Sequence, residues 1–193
     1  AGYASASSTT INVIDYITTA STGNASDFGD LSSTKEGLAS GSDSTTSVVG
    51  GGNTAGGNGI NVIESITIAS TANATDFGDL SATKTTLACC SSPAPSGANE
   101  ADFAPAAIGL FAGGLGDGSP RYLSTITYIN IASTGDTTLF GDLSLGRDYL
   151  SSGGFASSTR GCFAGGYSGS YSDVIDFVAF STKGKAADFG NLL

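Results

Sequence analysis

Phe28-Gly29-Asp30-Leu31 recurs as Phe77-Gly78-Asp79-Leu80 and Phe140-Gly141-Asp142-Leu143, and a fourth time as Phe189-Gly190-Asn191-Leu192. The copies begin at residues 28, 77, 140 and 189, so the intervals are 49, 63 and 49 residues. A fixed period in this range marks a chain built from one supersecondary unit repeated in tandem. Residues common to every copy hold the unit together, and any specific activity should sit where the copies differ.

Working outward from the tetrapeptide lengthens the pattern. Fourteen residues before each Phe lies the Ile of an alternating stretch: Ile14-Asp15-Tyr16-Ile17, Ile63-Glu64-Ser65-Ile66, Ile126-Thr127-Tyr128-Ile129 and Ile175-Asp176-Phe177-Val178. β-Branched and aromatic residues at period two predict a strand with one buried face. Gly23-Asn24, Ala72-Asn73, Gly135-Asp136 and Gly184-Lys185 supply the turn that follows, and the tetrapeptide sits on the returning strand. Seven residues after the Phe comes a base (Lys35, Lys84, Arg147), and three later a Leu (Leu38, Leu87, Leu150) through which a third strand is expected. A fourth strand ends in Gly50-Gly51-Gly52, Gly113-Gly114 or Gly165-Gly166. Four short strands in a meander of about fifty residues match one propeller blade. The expectation is an all-β chain of four-stranded antiparallel blades, forming an incomplete or small propeller. It reads as a single domain over 1–193 with units centred on 11–52, 60–114, 123–166 and 172–193.

The longer middle interval falls between the third and fourth strands of one unit. Residues 91–106 hold Pro93, Pro95 and Pro105, three of the four prolines, together with Phe103. Proline cannot donate to a ladder, so this segment reads as a loop grafted on a blade. The ends fall mid-unit: Gly2-Tyr3 aligns with Gly166-Tyr167, and Leu193 follows the fourth tetrapeptide. A fragment, a processed product and a subunit completed by a neighbour all fit that register.

A double glycine closing one strand, aromatics on the next two and a base about seven residues later resemble kelch motifs in order and content. The wording Val13-Ile14-Asp15-Tyr16-Ile17, Phe-Gly-Asp-Leu and Ser158-Thr159-Arg160-Gly161 is similar to kelch-like repeats in virion structural proteins of aquatic bacteriophages, cyanophages included. The resemblance covers nearly the whole chain. It departs at one place: kelch blades usually carry Trp where Phe28, Phe77, Phe140 and Phe189 stand, and this chain has no Trp.

Composition narrows the function. Seventeen acidic against seven basic residues give a formal charge of −10, which repels phosphate backbones and argues against nucleic-acid binding. No apolar run approaches the roughly 18 residues of a membrane span, so membrane insertion is not expected. With no His, His-dependent triads and imidazole metal sites are excluded. Cys89, Cys90 and Cys162 are an odd set, unlike a disulfide framework. Cys162 aligns with apolar strand positions and reads as a small buried residue, although an approach of Cys89 or Cys90 to it is conceivable.

Asp27 with Asp30 and Asp76 with Asp79 bracket a Phe-Gly and suggest oxygen ligands for a hard cation. Because Asp30, Asp79, Asp142 and Asn191 occupy one place in every unit, bonding to backbone N–H groups is the stronger reading. Pairing with the downstream base, as in Asp142 with Arg147, is the other structural option. No catalytic residue, metal site or cofactor is expected. Asn24-Ala25-Ser26 and Asn73-Ala74-Thr75 fit a glycosylation pattern but coincide with the repeated turn. The loops after the double glycines differ most between copies and hold Tyr3, Arg121, Tyr122, Tyr167 and Tyr171. Tyrosine presents an amphipathic face suited to a glycan or a protein. With Phe103 on the insertion, these are the candidate ligand-binding residues. The reading implied is a non-enzymatic virion module, a tail fibre or surface decoration, located on the virion or outside a cell. Its partners would be a host glycan, other virion proteins or copies of itself. A cellular extracellular adhesin or filament subunit is the alternative.

Overall fold

The computed structural model describes residues 2–4, 9–92, 107–150 and 154–193. The described residues form strands and turns without a helix. β1 (Gly2–Ala4) pairs with β2 (Thr9–Ile11), and β3 (Val13–Tyr16) with β4 (Ser26–Asp30); these two ribbons make the first sheet unit. Three complete four-stranded antiparallel sheets follow. The second comprises β5 (Ala39–Ser42), β6 (Thr46–Gly50), β7 (Val62–Thr67) and β8 (Thr75–Asp79). The third comprises β9 (Ala88–Ser91), β10 (Ile108–Ala112), β11 (Thr125–Asn130) and β12 (Thr138–Asp142). The fourth comprises β13 (Phe155–Ala156), β14 (Arg160–Ala164), β15 (Val174–Ala179) and β16 (Ala187–Asn191).

The all-β expectation and the four-stranded meander both hold. The sheets are cut half a unit away from the sequence segments, however. Each complete sheet joins the last two strands of one copy to the first two of the next, because the strand ending in a double glycine pairs forward, as Gly50 does with Ile63. The third strand starts one residue after Leu38 and Leu87. Leu87 and Leu150 serve as core residues beneath it.

The signature tetrapeptide is a β-bulge. Ile63 faces Gly78 and Glu64 faces Asp76, so Phe77 is the extra residue on its strand. The same skip leaves Phe28, Phe140 and Phe189 unpaired in the other sheets. A bulge re-aims its side chain, and here it turns Phe77 and Phe140 into the core. Three of these Phe rings meet an aromatic on the partner strand edge-on: Tyr16–Phe28, Tyr128–Phe140 and Phe177–Phe189, with centroids 6.0–6.1 Å apart. The second copy has Ser65 at that place.

Neighbouring sheets pack face on face. Between the second and third lie Val48, Ile63, Phe77, Cys89, Phe111 and Ile129. Between the third and fourth lie Cys90, Leu110, Ile126, Phe140, Phe163 and Val178. Alternate residues of β9 and β10 thus serve opposite cores, and the third sheet is buried on both faces. The first strands run side by side: Ser91 Oγ donates to the Ser42 carbonyl at 2.8 Å and accepts from Ser42 N at 3.1 Å.

Candidate functional site

Meander geometry places the loops after the double glycines at one end of the sheets. Gly51 and Gly52 have φ of +69° and +99°, and the same turn recurs at Gly113-Gly114 and Gly165-Gly166. This conformation suits glycine, and a Cβ on Gly52 would lie 2.6 Å from the Glu36 carbonyl. Beyond each turn a small hairpin closes through one bridge: Asn53 with Gly59, Leu115 with Tyr122, Tyr167 with Tyr171. The segment linking one sheet to the next lies beside it, giving further bridges at Glu36–Asn53, Thr85–Leu115 and Asp148–Tyr167.

This arrangement brings together four of the sequence candidates from two different copies. Tyr122 meets Tyr167 at 5.9 Å between centroids, and Tyr167 meets Tyr171 at 5.5 Å, both edge-on. Tyr171 is 92% exposed. Asp148 exchanges backbone bonds with Tyr167, N to O at 2.9 and 2.8 Å. The Asp148 side chain is buried, and its Oδ1 has no hydrogen-bond partner among the described residues. Burial pushes its pKa up, and the charge of Arg121 opposes the rise. Sequence reasoning missed Asp148. Its signal is its place, one residue after the base, where the other copies carry Glu36 and Thr85.

The remaining candidates do not join this cluster. Tyr3 pairs through its backbone with Thr10, one hairpin at the same end of the first sheet unit. Phe103 lies outside the described residues. The β9–β10 connection, which carries it, departs from the opposite end of the third sheet.

The repeated bases form a second constellation, and here the structure corrects the sequence. Arg147 does not pair with Asp142. Its Nη2 bonds Asp176 Oδ2 of the next sheet at 2.9 Å, with both side chains fully buried, while Asp142 Oδ1 accepts from Ser124 Oγ at 3.1 Å. Lys35 likewise pairs with Glu64 of the next sheet. The carboxylate also takes the Ser32 N–H at 2.6 Å. Burial alone would raise the pKa of Glu64, but these bonds hold it below the usual value. The shorter acid faces the longer base in one pair and the longer acid the shorter base in the other, so both spans are filled. In the middle junction Thr127 stands where the acid would be, and among the described residues the buried Lys84 ammonium bonds Thr125 alone, Oγ1 at 3.1 Å and carbonyl at 3.4 Å. Its pKa is lowered to about 8 by desolvation, against the opposing charge of Asp142.

Repeat residues Asp30 and Asp79 act through their backbones. Asp30 N donates to Asn73 Oδ1 at 3.1 Å and Asp79 N to Asp136 Oδ1 at 3.0 Å, in each case to the turn of the following sheet. The three cysteines are buried and free; burial raises every thiol pKa, and Cys162 lies within electrostatic reach of Cys90. Neither a protein-family model nor a curated protein matches the chain.

Proposed function

We propose that the chain is a non-enzymatic binding module that presents the Tyr122–Tyr167–Tyr171 cluster to a surface glycan, as part of a virion tail fibre or decoration. The observation that carries this reading is the coincidence of three properties at one place. The loops are those in which the copies differ, the tyrosine rings form a contiguous amphipathic cluster, and Asp148, paired through its backbone with Tyr167, has a carboxylate oxygen without a partner among the described residues and Arg121 within electrostatic reach. Sugar rings stack their C–H faces on aromatic side chains and offer hydroxyls to buried acceptors. Loops held by a rigid scaffold are the usual carriers of recognition. A rigid sheet stack with few charges suits exposure outside a cell, and the kelch-like virion resemblance supplies the setting.

The test is glycan-array binding by the chain and by Tyr167→Ala, Tyr171→Ala and Asp148→Asn variants. The first two should lose at least about tenfold in affinity, the size of one good stacking contact. Binding that survives all three changes would remove this cluster from the function.

A further inference from the structure

One sheet breaks the aromatic pattern of the other three. Ser65 faces Thr75 across its ladder, and at the same register Tyr16 faces Ser26, Tyr128 faces Thr138 and Phe177 faces Ala187. In those three sheets the ring at this place meets the bulge Phe edge-on, with centroids 6.0–6.1 Å apart. Beside Phe77 the same place holds the hydroxymethyl group of Ser65. A second small residue accompanies the first. Between the third and fourth sheets Lys183 covers the Tyr128 ring, its Nζ 4.7 Å from the centroid. Lys183 precedes Gly184 in its turn, and the residue that precedes Gly135 in the equivalent turn is the much shorter Thr134.

Where these two small residues meet, a groove of about 460 Å³ separates the second sheet from the third, lined by Ser65, Ile66, Thr75, Phe77, Ile131 and Thr134 among others. Phe77 and Ile131 belong to the core between those sheets, which gives the groove an apolar side. The Ser65 and Thr75 hydroxyls, 3.4 Å apart, give it a polar one. A cavity of about 150 Å³ is enough to hold benzene, so the groove has room for one ring with substituents. It lies beside the β7–β8 turn, at the end of the sheets opposite the double-glycine loops.

We infer that this groove binds a small hydroxylated aromatic compound, whose ring takes the place that Tyr16 and Tyr128 fill in their own sheets. The class of ligand follows from the sister sheets. Aromatic pairs favour the edge-to-face arrangement at centroid separations of about 4.5–7 Å, and Phe77 offers one member of such a pair. A phenolic O–H both donates and accepts, as the lining hydroxyls do. A pyranose fits the place less well. It carries hydroxyls around its rim, and those turned toward Phe77 and Ile131 would go unpaired at a cost in affinity. The groove is remote from Tyr122, Tyr167 and Tyr171, so the inference stands apart from glycan binding by those loops.

The probe is p-cresol, the tyrosine side chain as a free molecule, titrated into the 193-residue chain and followed by nuclear magnetic resonance. Binding should saturate, with Overhauser contacts from the cresol ring to the methyl groups of Thr75 and Ile131. Ser65→Tyr supplies the ring from within the chain. It should weaken p-cresol binding at least about tenfold and raise the melting temperature, since it completes an aromatic pair. Absence of saturable binding, contacts to Tyr122 and Tyr167 in place of Thr75 and Ile131, or equal affinity in Ser65→Tyr would each overturn the inference. So would a lowered melting temperature in Ser65→Tyr, which would show that the place does not accept a ring. Methyl glucoside seated in the groove more tightly than p-cresol would overturn the aromatic class.

Discussion

Two buried lysines on equivalent positions have opposite energetics. Lys35 meets a carboxylate, whereas Lys84 meets a hydroxyl and a carbonyl. Removing one partner of a buried pair leaves a bare charge and costs roughly 3–5 kcal/mol, so Lys35→Met should destabilise by that order. Lys84→Met removes a poorly compensated charge and should stabilise at pH 7 by about 2 kcal/mol. The pH dependence has a definite sign. A lysine at about 8 in the folded state and 10.5 when unfolded binds fewer protons folded than unfolded between those values. Stability therefore rises with pH across that window, by about 3 kcal/mol in all. Urea denaturation at pH 7 and pH 10 reads both effects, and the rise should be absent from Lys84→Met; an equal rise in that variant would refute the assignment. None of this pairing was legible from spacing alone. Periodicity located Lys35, Lys84 and Arg147 but pointed Arg147 at Asp142 of its own copy, because a repeat read in one dimension does not say which sheet lies alongside.

At the scale of the element, the Phe-Gly bulge both ends a ladder register and makes room for the neighbouring turn. Alanine at Gly78 must displace the Gly135 carbonyl and loosen the Gly135 N to Phe77 O and Thr137 N to Asp79 O bonds, each 2.8 Å. Alanine at Gly190 meets open space and carries only the strain of its positive φ, about 1–2 kcal/mol. Measured on dilute protein, the melting temperature should fall clearly further for Gly78→Ala than for Gly190→Ala, the difference representing about 2 kcal/mol of lost junction bonds. Equal shifts would mean that the close approach is not what fixes the glycine. The period of the tetrapeptide announced this element plainly, as the alternation around Ile14, Ile63, Ile126 and Ile175 announced its partner strand. What it hid was the seam between sheets. Strand pairing across a copy boundary leaves no mark in the period, so the segments appeared whole when each complete sheet is shared between two copies. Tyr122, Tyr167 and Tyr171 were placed on one end by the meander, whereas Asp148 escaped because its one mark, the place after the repeated base, holds Glu36 and Thr85 in the other copies and so shows no common residue type.

For the whole molecule, stability in a row of like units is a sum of unit and junction terms. The third sheet has two junctions, with Leu110 and Phe111 fully buried toward opposite neighbours. The outer strands β3 and β16 lie on sheets with one. Amide hydrogen exchange should accordingly be slowest in β10 and β11 and fastest in β3, β4 and β16. Uniform protection along the chain would show instead that the sheets unfold as one body.

A sheet covered on both sides has no face left to vary. All five residues of β10 are buried, so a change of side chain there disturbs one core or the other. Only the tips of the strands escape this double constraint, and it is at a tip, between β9 and β10, that thirteen residues more than in the β5–β6 connection enter the third sheet. New sequence can be spliced in at such points without reopening any packed surface, which makes the architecture a carrier whose ends diversify while its interior stands still.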